Sequence, residues 1–347
     1  MTAAGMQSGG LIDLQVNGYA GVDFNDEDLT AEALDHALRS MLRAGVTTCL
    51  PTLITAPRTE LAARFAALDS AVTGSQLGPL MVPGYHLEGP FLNPALGYAG
   101  CHPAAAMIPP DSGLLTDLIG RLSRPILLLT VAPEQQGAIP LIAAARRLGI
   151  AVAVGHTNAT TEDIDNAAAA GATLSTHLGN ALPQPQPKFL NPLMAQLAED
   201  RLCASFIADG IHVPPHALKV LLRAKGMARS VLVTDATAAA DTPPGIYRFA
   251  GMAIEHRPDG SVRVPGQTVL AGSALRLDQA VRNVVAWGLA SRIEAIGLAG
   301  RNPAALLAPA LAAHGLRLPE ARVAWSAAMV PESVTVGDVN YRASIAG

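Results

Sequence analysis

Four polar side chains with the chemistry of a hydrolytic metal site each follow a short apolar segment of the sequence. They are Glu88, His156, His177 and Asp235. One carboxylate and two imidazoles form the donor set of many catalytic zinc sites, which leave a fourth position open for water. A further carboxylate beside such a water can accept its proton and deliver it to a leaving nitrogen. The pattern therefore predicts Glu88, His156 and His177 as metal ligands and Asp235 as the catalytic acid and base.

Each of these residues also has an ordinary structural interpretation. A glutamate can be a surface carboxylate or a helix cap, but Glu88 precedes Gly89 and Pro90 and is not placed to cap a helix. A single histidine at a strand end is more often a hydrogen-bonded structural residue than a ligand, and Asp235 could be an N-cap. Two histidines in adjacent units, with Glu88 two units earlier, favour the metal site. That interpretation requires the three ligand side chains to converge.

The elements that would position these side chains alternate between short apolar strands and amphipathic helices. Strands are predicted at residues 11–16, 47–51, 81–87, 126–132, 151–155, 173–176, 203–208 and 230–234. Helices are predicted between them at 31–44, 58–72, 136–148, 161–170 and 214–225. This alternation is typical of a parallel sheet, and eight successive units predict a TIM-type (β/α)8 barrel of the α/β class. The four reactive residues would then share the C-terminal face of the barrel, where catalytic residues of such barrels lie.

The pattern changes after the eighth predicted strand. Segments 247–254 and 261–270 flank a turn at 258–260, so we expect a hairpin insertion at 245–270. Helices resume at 275–287, 292–298 and 303–311. The predicted barrel domain spans 11–312, between a short N-terminal segment at 1–10 and a C-terminal tail at 313–347 that could supply two short strands. The Pro- and Gln-containing run at 183–187 is predicted as an active-site loop.

Composition argues against several classes of protein. The 347 residues are 50% hydrophobic and 15% charged, with a formal net charge of -4 and no Lys/Arg cluster. Neither a disordered chain nor a nucleic-acid partner is therefore expected. No apolar run reaches the roughly 18 residues of a membrane span, and the first residues lack a signal-peptide pattern. Three separated cysteines form no disulfide framework, and no dinucleotide-binding glycine fingerprint follows the first strand. We expect a cytoplasmic protein without a membrane partner.

The motifs around the reactive residues resemble those of the amidohydrolase superfamily, and within it those of the N-acetylglucosamine-6-phosphate deacetylases. The similarity runs from about residue 11 to about residue 303 and rests on the segments 12–18, 50–52, 86–90, 155–160, 176–177, 180–181, 208–212, 234–236 and 270–273. The resemblance implies hydrolysis of the N-acetyl group of an amino sugar to the free amine and acetate. N-acetylglucosamine 6-phosphate is the substrate that it implies.

The resemblance also implies roles by position. It agrees with the three ligands and with Asp235 as acid and base. Contacts to the sugar or its phosphate are expected from His102, Asn180, Ala181, Lys188, His212, Gln15 and Asn17. Gln15 and Asn17 stand where many amidohydrolases have two histidines that bind a second metal ion. Neutral amides are poor zinc ligands. The resemblance therefore implies one divalent ion, zinc in first place with iron, manganese or cobalt as alternatives, and a homodimer.

Three features depart from the family pattern. Only about ten residues precede the first strand, so the small β-sandwich that the family builds from both chain ends is expected to be reduced or missing. In the loop after His177, Lys188 stands where the family has an arginine that reaches a substrate phosphate across a dimer interface. A lysine keeps the charge but lacks the bidentate fork. Residues 97–100 also lack the lysine that the family offers before His102.

Two alternatives therefore stay open. The first is an amidohydrolase that acts on a non-phosphorylated N-acyl amino sugar or on another amide, because the last two departures weaken the case for a 6-phosphate. The second is a non-catalytic sugar-binding barrel. The presence of all three ligand residues together with Asp235 argues against it.

Overall fold

The computed structural model describes residues 6–342. Its strands are β1 (Met6–Ser8), β2 (Leu11–Val16), β3 (Gly18–Tyr19), β4 (Val22–Asp23), β5 (Val46–Ile54), β6 (Tyr85–Glu88), β7 (Ile126–Val131), β8 (Ala151–Val154), β9 (Ala172–Ser175), β10 (Cys203–Ile207), β11 (Ser230–Val233), β12 (Gly245–Phe249), β13 (Met252–His256), β14 (Val262–Arg263), β15 (Ala321–Trp325), β16 (Pro331–Val336) and β17 (Val339–Arg342). Its helices are α1 (Ala31–Arg43), α2 (Arg58–Gly74), α3 (Gly78–Met81), α4 (Ser112–Ile119), α5 (Ala138–Arg147), α6 (Thr161–Ala170), α7 (Pro192–Ala198), α8 (Pro215–Lys225), α9 (Leu277–Ala286), α10 (Arg292–Ala299) and α11 (Arg301–Ala313). Within this part of the chain, every helix is too short or too polar to cross a membrane.

Eight parallel strands form the central barrel. Their order in the sheet is β2-β5-β6-β7-β8-β9-β10-β11, which is also their order along the chain. The barrel closes where β2 meets the end of β11. There the Asp235 N–H donates to the Gln15 carbonyl oxygen at 2.9 Å, and Val16 pairs in parallel with Ala236. The predicted (β/α)8 barrel of the α/β class is confirmed.

The sequence explains why these segments form a barrel wrapped by helices. Every residue of β7 is buried, because one face packs in the barrel interior and the other against the helices. Helix α6 begins with a capping box in which Thr160 and Asp163 each bond the other's backbone, and it ends at Gly171 with a left-handed φ of 117°. The helix predicted at 161–170 is therefore confirmed at both ends.

Some predicted bounds differ from the structure. The strand predicted at 81–87 begins only at Tyr85, because Met81 is the last residue of the short helix α3 and residues 82–84 connect that helix to the strand. Helices α4 and α7 were not predicted. The single strand predicted at 247–254 is wrong, because the chain turns at Ala250 and Gly251, both with positive φ. Strands β12 and β13 form a hairpin about this turn, and β14 pairs with β13 as a third strand.

A small sheet joins the two chain ends beside the barrel. Strand β1 pairs antiparallel with β15, which is followed by β16 and β17. The Trp325 side chain is buried, and its indole N–H donates to Ser8 Oγ at 2.8 Å. Within the described residues the small domain therefore consists of this one four-stranded sheet, and the tail supplies three strands where two were predicted. The outer ends of the predicted segments 1–10 and 313–347 lie in residues 1–5 and 343–347, outside the described residues.

Candidate active site

Glu88, His156 and His177 converge at the C-terminal end of the barrel. Glu88 is the last residue of β6, and the two histidines follow β8 and β9. His177 Nε2 lies 3.1 Å from Glu88 Oε1, His156 Nε2 lies 3.4 Å from the same oxygen, and the two Nε2 atoms are 3.2 Å apart. Bonds of about 2.0–2.1 Å at tetrahedral angles would separate neighbouring ligands of a zinc ion by about 3.3 Å. The three atoms, hereafter the ligand triangle, therefore fit one four-coordinate divalent ion.

The surroundings of the His156 imidazole favour ligation through Nε2. His156 Nδ1 lies 2.8 Å from the Tyr98 carbonyl oxygen, which can only accept, so the Nδ1 proton is held there. This tautomer leaves the lone pair on Nε2, directed into the ligand triangle. His177 Nδ1 is buried and has no hydrogen-bond partner among residues 6–342. Buried acceptor atoms that face one another at contact distance are unfavourable unless a cation or protons lie between them, so the donor set fits a metal ion.

The backbone is left-handed at three residues of this site. The φ angles are 50° at His156, 29° at His177 and 49° at Asp235. Positive φ is uncommon for residues that carry a Cβ, and it is found most often where function requires it. Each of the three lies two residues after the end of a barrel strand. The left-handed turn interrupts the alternation of the strand and lets these side chains face the mouth of the barrel.

Asp235 lies beside the ligand triangle, accepts hydrogen bonds from two amides, and is joined to the triangle by one of them, Gln15. Its Oδ1 accepts hydrogen bonds from Asn17 Nδ2 at 2.7 Å and from Gln15 Nε2 at 3.2 Å. Gln15 Nε2 also donates to Glu88 Oε1 at 2.9 Å. Gln15 and Asn17, predicted as substrate contacts, therefore both bind a carboxylate of the site.

Burial and charge act differently on the two carboxyl groups. Burial raises the pKa of Asp235, and the negative charge of Glu88 raises it further, to about 6. Burial also acts to raise the pKa of Glu88, but the imidazoles of His102, His156 and His177 outweigh it and hold that pKa well below its usual range. Glu88 is therefore ionised at neutral pH, as a metal ligand must be. Asp235 exchanges its proton close to neutral pH, as a catalytic base must.

His102 completes a cluster of imidazoles around Glu88. Its Nε2 lies 3.6 Å from Glu88 Oε2, and its Nδ1 lies 3.0 Å from Thr55 Oγ1. Burial and the neighbouring His156 lower the pKa of His102. The imidazole is therefore neutral at neutral pH and can donate one hydrogen bond.

His212 is held in place by Asp209. Its Nδ1 lies 2.6 Å from Asp209 Oδ2, and Asp209 Oδ1 accepts the backbone N–H groups of Ile211 and His212 at 2.8 Å each. A carboxylate in this position fixes the orientation of the imidazole. Nε2 is thereby left for contacts with a bound molecule.

A cavity of about 790 Å³ lies over these groups, a volume that suits a small molecule. Of the predicted site residues, those that line it are Asn17, Glu88, His102, His156, His177, Asn180, Ala181, His212 and Asp235. Residues 183–185 of the predicted active-site loop also line it. Lys188 is exposed and is not among the lining residues.

Glu134 is a residue of the site that the sequence did not single out. Its carboxylate accepts hydrogen bonds from Asn93 Nδ2 at 2.7 Å, from the Asn158 N–H at 2.8 Å and from the Thr157 hydroxyl. These bonds hold the turn that directly follows His156. The available signal was its position three residues after β7, one of the two barrel strands for which the sequence predicted no polar residue at the C-terminal end.

Comparisons with known sequences agree with this geometry. The model of the amidohydrolase family matches residues 8–253. The N-acetylglucosamine-6-phosphate deacetylase of Bacillus subtilis (strain 168) is 31% identical over 282 residues, which cover 79% of this chain and 68% of the relative. The N-acetylgalactosamine-6-phosphate deacetylase of Escherichia coli O157:H7 is 34% identical over 298 residues, which cover 85% of this chain and 76% of the relative.

Solved structures show the same likeness. An N-acetylglucosamine-6-phosphate deacetylase from Pasteurella multocida is similar with a TM-score of 0.85 and 26% identity, covering 98% of this chain and 87% of that one. A mutant deacetylase from Mycobacterium smegmatis in complex with N-acetyl-D-glucosamine-6-phosphate is similar with a TM-score of 0.84 and 29% identity. The match covers 96% of this chain and 86% of that one. The similarity therefore extends over nearly all of the chain.

Proposed function

Because this chain belongs to the amidohydrolase family and is a hydrolase of carbon–nitrogen bonds, we propose that it deacetylates an amino-sugar 6-phosphate. The proposed reaction converts N-acetylglucosamine 6-phosphate to the free amine and acetate. One observation carries the proposal: the ligand triangle, with the Asp235 carboxylate hydrogen-bonded through Gln15 to the same Glu88. The relatives are named as deacetylases of N-acetyl amino-sugar 6-phosphates, which supports the choice of substrate.

We propose that Glu88, His156 and His177 hold one divalent ion, zinc in first place, with iron, manganese or cobalt as alternatives. Two imidazoles and one carboxylate suit these ions. Gln15 and Asn17 leave no second imidazole pair, and their amide nitrogens already donate to carboxylates. When bound, the ion polarises the amide carbonyl and lowers the pKa of a water molecule at its open position.

Asp235 is the proposed acid and base. The hydrogen bonds from Asn17 and Gln15 both go to Oδ1, so Oδ2 has no hydrogen-bond partner within residues 6–342. Oδ2 can therefore accept a proton from the attacking water and then donate it to the leaving nitrogen. Burial favours this transfer, because a carboxyl group with a pKa of about 6 is both a competent base and a competent acid near neutral pH.

The remaining lining residues would bind the sugar. His212 presents Nε2 to the cavity while Asp209 holds its Nδ1. Asn180 donates through Nδ2 to the His177 carbonyl oxygen at 3.0 Å, which leaves its amide oxygen for a sugar hydroxyl. Ala181 has a φ of 51° and contributes backbone groups to the cavity wall. We propose His102 as a donor to the substrate, because its imidazole is neutral and lies beside the ligand triangle.

We further propose a homodimer. Leu96, Phe189 and Leu190 are 96%, 76% and 86% exposed, and Leu96 lines the cavity. Exposed apolar side chains of this size mark interaction surfaces when they form a patch. Lys188 lies next to Phe189 and would be free to reach a partner's substrate. Light scattering of the purified protein should give twice the mass of the chain, and a monomer would contradict this proposal.

One alternative keeps a specific observation in its favour. Lys188 does not line the cavity of its own chain, so a non-phosphorylated N-acyl amino sugar or another amide remains a candidate substrate. The non-catalytic barrel is set aside, because the family is one of hydrolases and the ligand triangle is complete.

Acetate release from a panel of sugars tests the proposed function. The purified protein would be supplied in turn with N-acetylglucosamine 6-phosphate, N-acetylgalactosamine 6-phosphate and N-acetylglucosamine. We expect turnover of a 6-phosphate that a chelator abolishes and a divalent metal restores. His177→Asn, checked for an unchanged circular dichroism spectrum, should lose both metal and activity. No acetate from any of the three sugars would overturn the proposal, and preference for the sugar without phosphate would favour the alternative.

A further inference from the structure

We infer that Arg263, at the end of β14, binds the anionic group of the substrate within the same chain. This inference rests on the proposed function, because it names the side chain that recognises the phosphate of the amino-sugar 6-phosphate. With Arg263 in this role, the cavity can bind a phosphorylated sugar even though Lys188 of the same chain does not line it.

The cavity wall is electrostatically polarised. Its carboxylates are Glu88 and Asp235, both at the barrel end. Among the described residues that line it, Arg263 is the one lysine or arginine, and it belongs to the three-stranded sheet after the barrel. A phosphate dianion is repelled by the two carboxylates and attracted to the guanidinium. A substrate with a neutral amide and a phosphate would therefore bind with the amide at Asp235 and the phosphate toward Arg263.

Among residues 6–342, no carboxylate forms an ion pair with the Arg263 guanidinium. Within residues 6–342 its hydrogen bonds go from Nε to Ser261 Oγ at 3.3 Å and from Nη1 to the Thr268 carbonyl oxygen. The exposed Asp259 is near enough for Arg263 to help lower its pKa, after the larger effect of Ser261, but it forms no ion pair with Arg263. A guanidinium has five N–H donors. Three of them, including both on Nη2, are thus left for a ligand.

A short segment connects Arg263 with the catalytic acid. Arg263 pairs with Leu270 across an antiparallel bridge, and the Ser273 N–H donates to the Asp235 carbonyl oxygen at 2.9 Å. Leu270 and Ser273 are three residues apart, a span of at most about 10 Å of extended chain. The acetamido group on carbon 2 and the phosphate on carbon 6 lie on opposite sides of a hexose ring. Since Asp235 and Arg263 line the same cavity, one bound sugar would present its amide to Asp235 and its phosphate to Arg263.

Arginine suits this task because its planar fork can give two parallel hydrogen bonds to phosphate oxygens. The test compares Arg263→Ala and Arg263→Lys with the control Arg257→Ala. Arg257 lies beyond β13 of the same sheet, pairs with Glu255 at 2.8 Å and is not among the cavity-lining residues. For each protein, kcat and KM would be measured on N-acetylglucosamine 6-phosphate and on N-acetylglucosamine, together with inhibition by inorganic phosphate.

We expect Arg263→Ala to raise KM for the phosphorylated sugar on the order of 10- to 100-fold with a much smaller change in kcat. Inhibition by inorganic phosphate should weaken in parallel, Arg263→Lys should be intermediate, and Arg257→Ala should behave as wild type. If Arg263→Ala keeps the wild-type preference for the phosphorylated sugar, the inference is overturned. It is also overturned if Lys188→Ala, and not Arg263→Ala, loses that preference.

Failure of the proposed function and failure of the role of Arg263 give different results. A wild-type protein that deacetylates none of the sugars overturns the proposed function and with it the role of Arg263. A wild-type protein that deacetylates the 6-phosphate, together with an Arg263→Ala variant of unchanged preference, overturns only the role of Arg263.

Discussion

Replacing Asp235 by asparagine separates proton transfer from every other property of the site. The new side chain has the same shape, and its oxygen can still accept the hydrogen bonds that Asn17 and Gln15 now make at 2.7 and 3.2 Å. The ligand triangle contains no atom of Asp235, so metal content should stay at one ion per chain. General acid–base groups contribute about 10²- to 10⁴-fold. We therefore expect kcat of Asp235→Asn to fall by about that factor while KM changes little.

The pH dependence sharpens this prediction. Burial and then the charge of Glu88 raise the pKa of Asp235 to about 6, and the group must be ionised to accept a proton. The rate of the wild-type protein should therefore fall about tenfold per pH unit on the acid side of this pKa. A cation in the ligand triangle stabilises the Asp235 carboxylate. The acid limb of the pH–rate profile should therefore lie at or below pH 6. The asparagine variant should lack this limb.

Acetate release over the acid and neutral range, with metal content measured on the same samples, checks both statements. Asp117→Asn is a matched control, because that carboxyl group is exposed on α4 and is not among the cavity-lining residues. The reasoning is refuted if Asp235→Asn retains a rate close to wild type with its metal bound. It is equally refuted if the variant turns over slowly but keeps the acid limb, because another group would then be the base.

Three further substitutions test the surroundings of the site. Asp13 is buried, and burial raises its pKa from an ordinary value of 3.8 to about 7. The stability that its protonated form contributes is therefore fully present below about pH 4 and lost as the pH rises through 7. Over that pH range, the free energy of unfolding of wild type should fall by about 4 kcal/mol relative to that of Asp13→Asn, at about 1.4 kcal/mol per pH unit. Urea titrations at several pH values measure this difference, and a difference that stays constant with pH would contradict the raised pKa. Glu134→Gln should weaken metal affinity by about 10- to 100-fold in competition with a chelator, because it loosens the turn after His156; unchanged affinity would show that the turn holds without it. Trp325→Ala should lower the free energy of unfolding by about 3–5 kcal/mol, because it empties the buried centre of the sheet between the chain ends; a loss below about 1 kcal/mol would mean that this sheet does not support the barrel.

Much of the site could be predicted because it follows from local pattern. Each proposed ligand stands at the end of, or just after, an apolar segment, and such segments form buried strands. Once eight strands alternate with helices, a closed barrel places all their C-terminal ends on one face. Glu88, His156 and His177 were therefore predictable as a set even though 68 and 21 residues separate them along the chain.

The partners of the ligands were not predictable, because they depend on contacts between distant loops. Glu134 acquires its role only when Asn93, 41 residues before it, and Asn158, 24 residues after it, meet it at the barrel end. The predicted turn at 258–260 folds β14 back beside β13, but Arg263 lines the cavity on a sheet that begins with a turn that was not predicted, at Ala250 and Gly251. That turn lies inside a segment whose alternating side chains predict one continuous strand.

The seam of the barrel explains how a left-handed aspartate is held in place. A residue in this conformation costs on the order of 1–3 kcal/mol, so its surroundings must favour it. The Asp235 N–H donates to the Gln15 carbonyl oxygen, and the Asp235 carbonyl oxygen accepts from the Ser273 N–H, each at 2.9 Å. The backbone groups that close the barrel are thus those that fix Asp235, while the side chain of the same Gln15 binds both Asp235 and Glu88. The contacts that close the barrel therefore also align Asp235 with the ligand triangle. For this reason the proposed proton-transfer group lies at the junction of the first and last barrel strands.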